Sequence, residues 1–253
     1  MPAFTASAAR PTPSQTNIAA AIAARNAHLE RTGPQRTASL SETRARSVSL
    51  ARVSAFIIVS SVILPTGIMA ITLGFGSMPL PYPLYLVLQR LPIAFPLHMI
   101  ASGLALILIP FAVFVRCYPA VHRLIGRSAF CCILVGALTA LPVALSSEAT
   151  SVARTGMFVQ GVTWLSLAAA AISAIRSGNI AGHARLMIAM AAVASAAIWL
   201  RLVTAAAVVL MWPFDQVYAV AAWMCWIVPL AIALTWTKAG TLWLVGPDAR
   251  APQ

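Results

Sequence analysis

The sequence predicts an all-α membrane protein: six transmembrane helices around a four-helix antiparallel bundle. Three observations lead there. The chain is 60% hydrophobic with a mean hydropathy of +0.88. Only 9% of it is charged, where a soluble domain carries about 25%. Its apolar residues gather in runs of about 20, the length at which a helix crosses ~30 Å of hydrocarbon. These Ala/Leu/Ile/Val runs lack the period-two alternation that membrane-barrel strands require.

Residues 1–51 read as a cytoplasmic tail, disordered or amphipathic, rich in Ala, Ser, Thr, Pro and Arg. Within it Thr16–Glu30 can form a surface helix with Ile18, Ile22 and Leu29 on one side. No secretory signal is read, because the first apolar run begins near Val53, well behind this polar segment. The membrane domain is placed at residues 52–240 and a short second tail at 241–253. The six spans are Val53–Leu73, Pro92–Val115, Ile125–Leu145, Met157–Ile175, Ala184–Met211 and Val217–Trp236. The connections are Gly74–Leu91, Arg116–Leu124, Ser146–Gly156, Arg176–His183 and Trp212–Gln216. Gly178 and Pro213 act as helix stops. Pro65, Pro110, Pro142 and Pro229 fall within spans, where neighbouring helices shield the carbonyls a proline frees. Short connections bring spans two to five together as an antiparallel bundle, with spans one and six flanking it.

Net charge is +12, from 17 Lys+Arg against 5 Asp+Glu. In a soluble chain that would suggest nucleic acid; here the basic residues flank spans and set orientation. With the N-terminus inside, fourteen of them fall on the cytoplasmic side and only Arg90 and Arg154 on the other, Arg201 being intramembrane. The positive-inside rule therefore predicts a multi-pass protein of a bacterial inner membrane with both termini cytoplasmic. Cys117, Cys131, Cys132 and Cys225 form no C-x-x-C pair and read as small hydrophobes rather than a disulfide or metal set.

Arg201 is the sharpest pointer to a site. A charge at span depth costs about 2.5–3.5 kcal/mol on insertion scales and usually faces a partner or a wet cavity. Helical rise puts His98 at a comparable depth on span two. Glu148 and Asp215, in the outer connections, complete a candidate outward-opening pocket, with Ser146, Ser147 and Trp199 nearby. Arg201 would clamp an anion or carbonyl and His98 would exchange a proton or ligate; the competing reading is an Arg201 that snorkels or locks onto Glu148 or Asp215. At the opposite face His122, Arg123 and Arg127 open span three, while His183 and Arg185 open span five. They read either as interfacial anchors or as paired imidazoles for a haem or a quinone head group. Tyr82, Tyr85, Trp212, Tyr218, Trp236 and Trp243 read as interfacial belts.

In their order, His98, the Gly103–Pro110 stretch, His122-Arg-x-x-Gly-Arg127, Trp164, Arg176, His183-x-Arg-x-Met187 and Arg201 resemble the DUF2306 family of predicted bacterial membrane proteins. The resemblance covers about His98–Leu202. It departs from the family pattern at Leu186 and at Ile188-Ala189, where the family has an aromatic and a basic residue. It implies an architecture and a set of polar residues, not a reaction. Two bis-histidine haems would need four intramembrane histidines, and the core has His98, His122 and His183; one haem b on His122 and His183 remains open. No phosphate-cradling loop, zincin motif or nucleophile elbow is present.

The leading expectation is a membrane protein that binds a redox cofactor, haem or quinone, or another small ligand in a polar intramembrane site. The rivals are a transporter or channel subunit and a membrane interaction or assembly factor. Expected partners are membrane lipids and further copies of the chain, not nucleic acid. Whether the protein is an enzyme is left open.

Overall fold

Long apolar runs joined by short polar connections force the chain back and forth, and the computed structural model of the protein shows this path. It describes residues 18, 20–22, 24, 25, 54, 57 and 60–238. The chain divides into two units, residues 1–55 and 56–253. In the first, the described residues are helical, with Ile18 and Ile22 exposed; the rest of the predicted surface helix lies outside the described residues.

In the second unit every described element is helical: α1 (Ser60–Gly74), α2 (Tyr82–Arg90), α3 (Ala94–Phe114), α4 (Pro119–Leu145), α5 (Ser151–Arg176), α6 (Ile180–Ala194), α7 (Ala196–Val209) and α8 (Phe214–Lys238). Among the described residues five stretches are long and apolar enough to cross a membrane: Ala94–Cys117, Pro119–Leu145, Ser151–Arg176, Ile180–Val209 and Phe214–Thr237. Of the predicted first span, Val53–Leu73, the structure describes residues 54, 57 and α1, all helical. The remainder lies outside the described residues.

Helix ends run past the apolar runs that announced them. α4 begins at Pro119, where a proline at the first turn loses no hydrogen bond, and so takes in His122, Arg123 and Leu124, expected in a connection. α5 begins behind Thr150, whose hydroxyl accepts from the Ala153 N–H at 3.3 Å. Gly178 at φ +77° closes α5, with Asn179 N–H returning to Ala174 O at 2.9 Å. Asn179 then caps α6 by accepting from the Gly182 N–H at 2.7 Å. One three-residue turn, Ser177 to Asn179, thus ends one helix and starts the next.

The segment 74–91, expected as a connection, contains α2. Leu84, Val87 and Leu88 recur at helical spacing. Val87, 2% exposed, packs in a small cluster with Ala70, Phe95 and Met99. Tyr82 and Tyr85 stay exposed. Span five is likewise two helices, broken at Ser195, whose hydroxyl bonds back to Ala192 O at 2.7 Å. Such back-bonding competes with the helix ladder.

The main core joins α3, α4, α5, α6, α7 and α8. α8 is part of it and not a flanking element: it packs on α5, α6 and α7 and contributes Ala221, Cys225 and Trp226. α1 lies close on α3, where a Cβ on Gly103 would come within 2.7 Å of Gly67 O. The four cysteines are unpaired thiols. Apolar side chains such as Leu104, Phe111, Leu138, Val220 and Ile232 are exposed along the helices, as a lipid-facing surface requires.

Candidate functional site

Polar side chains within apolar helices are expensive, so their positions carry information. Counted along each helix at ~1.5 Å per residue, a group of them lies about 6–14 Å in from the end where α3, α5 and α8 begin. α3 supplies His98 and Ser102, α4 Thr139 and the Gly136 carbonyl, α5 Gln160, α7 Arg201 and Thr204, and α8 Tyr218. Every span-length stretch thus contributes to one polar layer.

His98 is half-buried, and its Nδ1 lies 2.9 Å from Gly136 O on α4. A carbonyl only accepts, so this contact fixes the proton on Nδ1 and leaves Nε2 as the imidazole's outward atom. Ser102 Oγ sits 3.3 Å from the same Nδ1. The approach of α3 to α4 depends on Gly136, because a Cβ there would meet Ser102 Oγ at 2.7 Å. Thr139 Oγ1 donates to Gly136 O as well, at 3.1 Å.

Arg201 is half-buried and spends one N–H on Ala197 O, one turn back on its own helix, at 2.6 Å. Its guanidinium stands close enough to His98 and to the Tyr218 hydroxyl for its charge to act on both. Four further N–H donors remain in a planar fork. Tyr218 turns inward rather than forming an interfacial belt: it stacks on Phe214 at 5.7 Å and its hydroxyl reaches Met157 Sδ on α5 at 3.5 Å. Its spacing of four from Phe214 sets both rings on one face of α8. Gln160 Nε2 donates to Val193 O at 3.4 Å, beside the break at Ser195.

Of the residues predicted for this pocket, His98 and Arg201 lie within reach of each other's charge, with no hydrogen bond between them among the described residues. Glu148 instead pairs with Arg90 at 2.5 Å, and Arg90 also donates to Ser146 O at 3.0 Å. This latch ties the end of α2 to the α4–α5 connection. Asp215 lies exposed in the first turn of α8 and makes no ion pair among the described residues. Ser147 caps the local turn by accepting from the Ala149 N–H at 3.0 Å. Trp199 points elsewhere: two residues from Arg201 is about half a helical turn. With Ser195, Val203, Met224 and Trp236 it lines an apolar groove of about 1040 Å³ between α6/α7 and α8.

At the arginine-rich end, His122 Nδ1 lies 2.8 Å from Ala112 O on α3, and His183 Nδ1 lies 2.9 Å from Ala171 O on α5. All three core histidines therefore share one arrangement, Nδ1–H pinned to a carbonyl of the preceding or following helix. Arg123, Arg127 and Arg185 are exposed. Among the described residues no hydrogen bond or ion pair joins His122 to His183, or either to these arginines.

Sequence reasoning missed Ser102, Gln160 and the inward turn of Tyr218. Gln160 was findable, since it is the one glutamine inside the predicted spans. Tyr218 was not, because a tyrosine at the second position of a predicted span reads equally as a belt residue.

A family model described as "Predicted membrane protein (DUF2306)" matches residues 95–237. No curated protein and no solved structure matches.

Proposed function

We propose that this chain, which belongs to the DUF2306 family of predicted membrane proteins, binds a small amphipathic ligand through the polar layer around Arg201. The ligand's head group is an anion or a polarised carbonyl. The single observation carrying this reading is the guanidinium itself: it sits half-buried in an apolar helix, within reach of His98 and Tyr218 for its charge, with most of its donors unspent among the described residues. A donor fork in a low-dielectric interior attracts an acceptor strongly. His98, its Nδ1–H held by Gly136 O, donates to such a head group in this reading once Nε2 takes up a proton.

The reading includes six spans with both termini cytoplasmic in a bacterial inner membrane. The arginine distribution supports that orientation: α3, α4, α5 and α6 place Arg116, Arg123, Arg127, Arg176 and Arg185 at one end. In that orientation the Arg201 layer opens toward the outer face, and Arg90–Glu148 closes part of its rim. Spans two to five form the antiparallel bundle of this reading, with the last span completing its core.

Isothermal titration of the purified full chain with a decyl benzoquinone and with dodecanoate tests it. Binding of either probe, weakened about tenfold or more by Arg201→Gln and less by Arg201→Lys, is the expected result. No binding of either, or equal binding by Arg201→Gln, overturns it. An absorption spectrum checks the haem reading in the same preparation: a Soret band lost in both His122→Ala and His183→Ala would move the function to the arginine-rich end.

A further inference from the structure

Trp164 carries a polar atom with nowhere to go. The residue is 8% exposed, and among the described residues its indole Nε1 has no hydrogen-bond partner. Buried indole N–H groups usually find an acceptor, and one left unmade is costly. The residues clustered with it, including Ala105, Ala137, Ala168, Val193 and Ala196, have apolar side chains and offer none.

The indole's place connects it to the polar layer. Trp164 is one turn from Gln160 on the same face of α5, farther from the His98 end. Gln160 reaches Val193 O, and Val193, Ala197 and Arg201 lie at intervals of four along α6/α7. Ala137 adjoins Gly136, the acceptor for His98. Arg201 and Trp164 also share a chemistry: guanidinium and indole donate and never accept. Donor-only groups at two levels of the bundle favour a ligand that offers an acceptor to each.

Resting on the Arg201 reading above, we propose that Trp164 Nε1–H is the second, deeper contact for the same ligand, and that the ligand is a dicarbonyl compound of the quinone class. One carbonyl lies toward Arg201 and the other meets the indole. A quinone offers an acceptor at each end of an apolar ring and no donor. Its reduced form can still accept at the hydroxyl oxygens but brings two hydroxyl hydrogens for which neither Arg201 nor Trp164 offers an acceptor, so these two contacts favour the oxidised form.

The test compares Trp164→Phe, which keeps an aromatic ring and removes the N–H, with Arg201→Gln in the full-length protein. The probes are the decyl benzoquinone, a decyl cyclohexanone with a single carbonyl, and dodecanoate. Trp164→Phe is expected to weaken the quinone about 5–20-fold and leave the two one-ended probes within about twofold, whereas Arg201→Gln weakens all three. Loss with Arg201→Gln but an unchanged quinone affinity in Trp164→Phe overturns the inference and leaves the Arg201 reading standing. Equal loss of all three probes in Trp164→Phe overturns the inference too, since it marks a packing effect. Indifference to Arg201→Gln overturns the Arg201 reading itself. Should Trp164→Phe not fold, indole nitrogen-labelled wild-type protein supplies the readout. One indole N–H resonance shifting downfield with quinone and not with the cyclohexanone supports the contact, and no such shift refutes it.

Discussion

At the scale of single residues, the three histidines behave as oriented groups rather than interchangeable polar marks. Each commits Nδ1 to a carbonyl and turns Nε2 away. Asparagine places an amide N–H near the Nδ1 position and has nothing at Nε2. His98→Asn is therefore expected to keep thermal stability close to wild type while weakening ligand binding. His98→Leu is expected to lose binding and about 1–2 kcal/mol of stability as well; unfolding in mixed detergent reads one effect and titration the other. Glycines separate in the same way. Gly103→Ala would drive a Cβ against Gly67 O at 2.7 Å, a backbone atom that cannot swing aside, so a cost of about 1–3 kcal/mol is expected. Gly126→Ala meets nothing within 4 Å in the middle of α4 and is expected to stabilise by up to about 1 kcal/mol. Arg201 and His98 were legible in the sequence because charge in an apolar run is conspicuous and helical rise gives depth. The partners of Glu148 were not, since rise says nothing about which way a loop carboxylate turns; only the fold shows that Arg90 reaches it first.

At the scale of elements, hydropathy marked where the chain is apolar and not where it is helical. That is why α4 reaches back to Pro119 through His122 and Arg123. It is also why α2 was taken for a loop: nine residues with only half a face apolar are too short and too polar to register as a span. α2 is held by Val87 underneath and by Arg90 at its end. The ion pair is solvent-exposed, and such pairs contribute about 0–1 kcal/mol. Arg90→Ala is therefore expected to leave global unfolding nearly unchanged while raising amide hydrogen exchange across residues 82–90. Protection that stays the same there would mean the latch is idle. The break at Ser195 escaped sequence reading because neither Gly nor Pro marks it, and a serine inside an alanine-rich run looks like packing.

At the scale of the molecule, five membrane-length helices were legible by counting, and the identity of the core was not. Composition and arginine placement specify an antiparallel membrane bundle. They cannot tell which spans lie inside, because all of them are apolar on every side. α8 joins the core through Ala221, Cys225 and Trp226, small or flat residues no more conspicuous than their neighbours. Orientation is open to direct test. Cysteines introduced at Arg185 and at Glu148 in a cysteine-free background are expected to react with impermeant thiol reagents from opposite sides of sealed inverted vesicles, Arg185→Cys from the cytoplasmic side. The opposite pattern would reverse the topology.

The α7 rod has two working sides set back to back, Arg201 toward the bundle and Trp199 on the trough shared with α8. Within a bilayer that trough holds hydrocarbon. Whatever fills it leans on the same short rod, jointed at Ser195, that carries the guanidinium. If the proposed ligand binds at Arg201, lipid composition becomes a mechanical input to its affinity, and a titration repeated in nanodiscs of different acyl content is expected to register it.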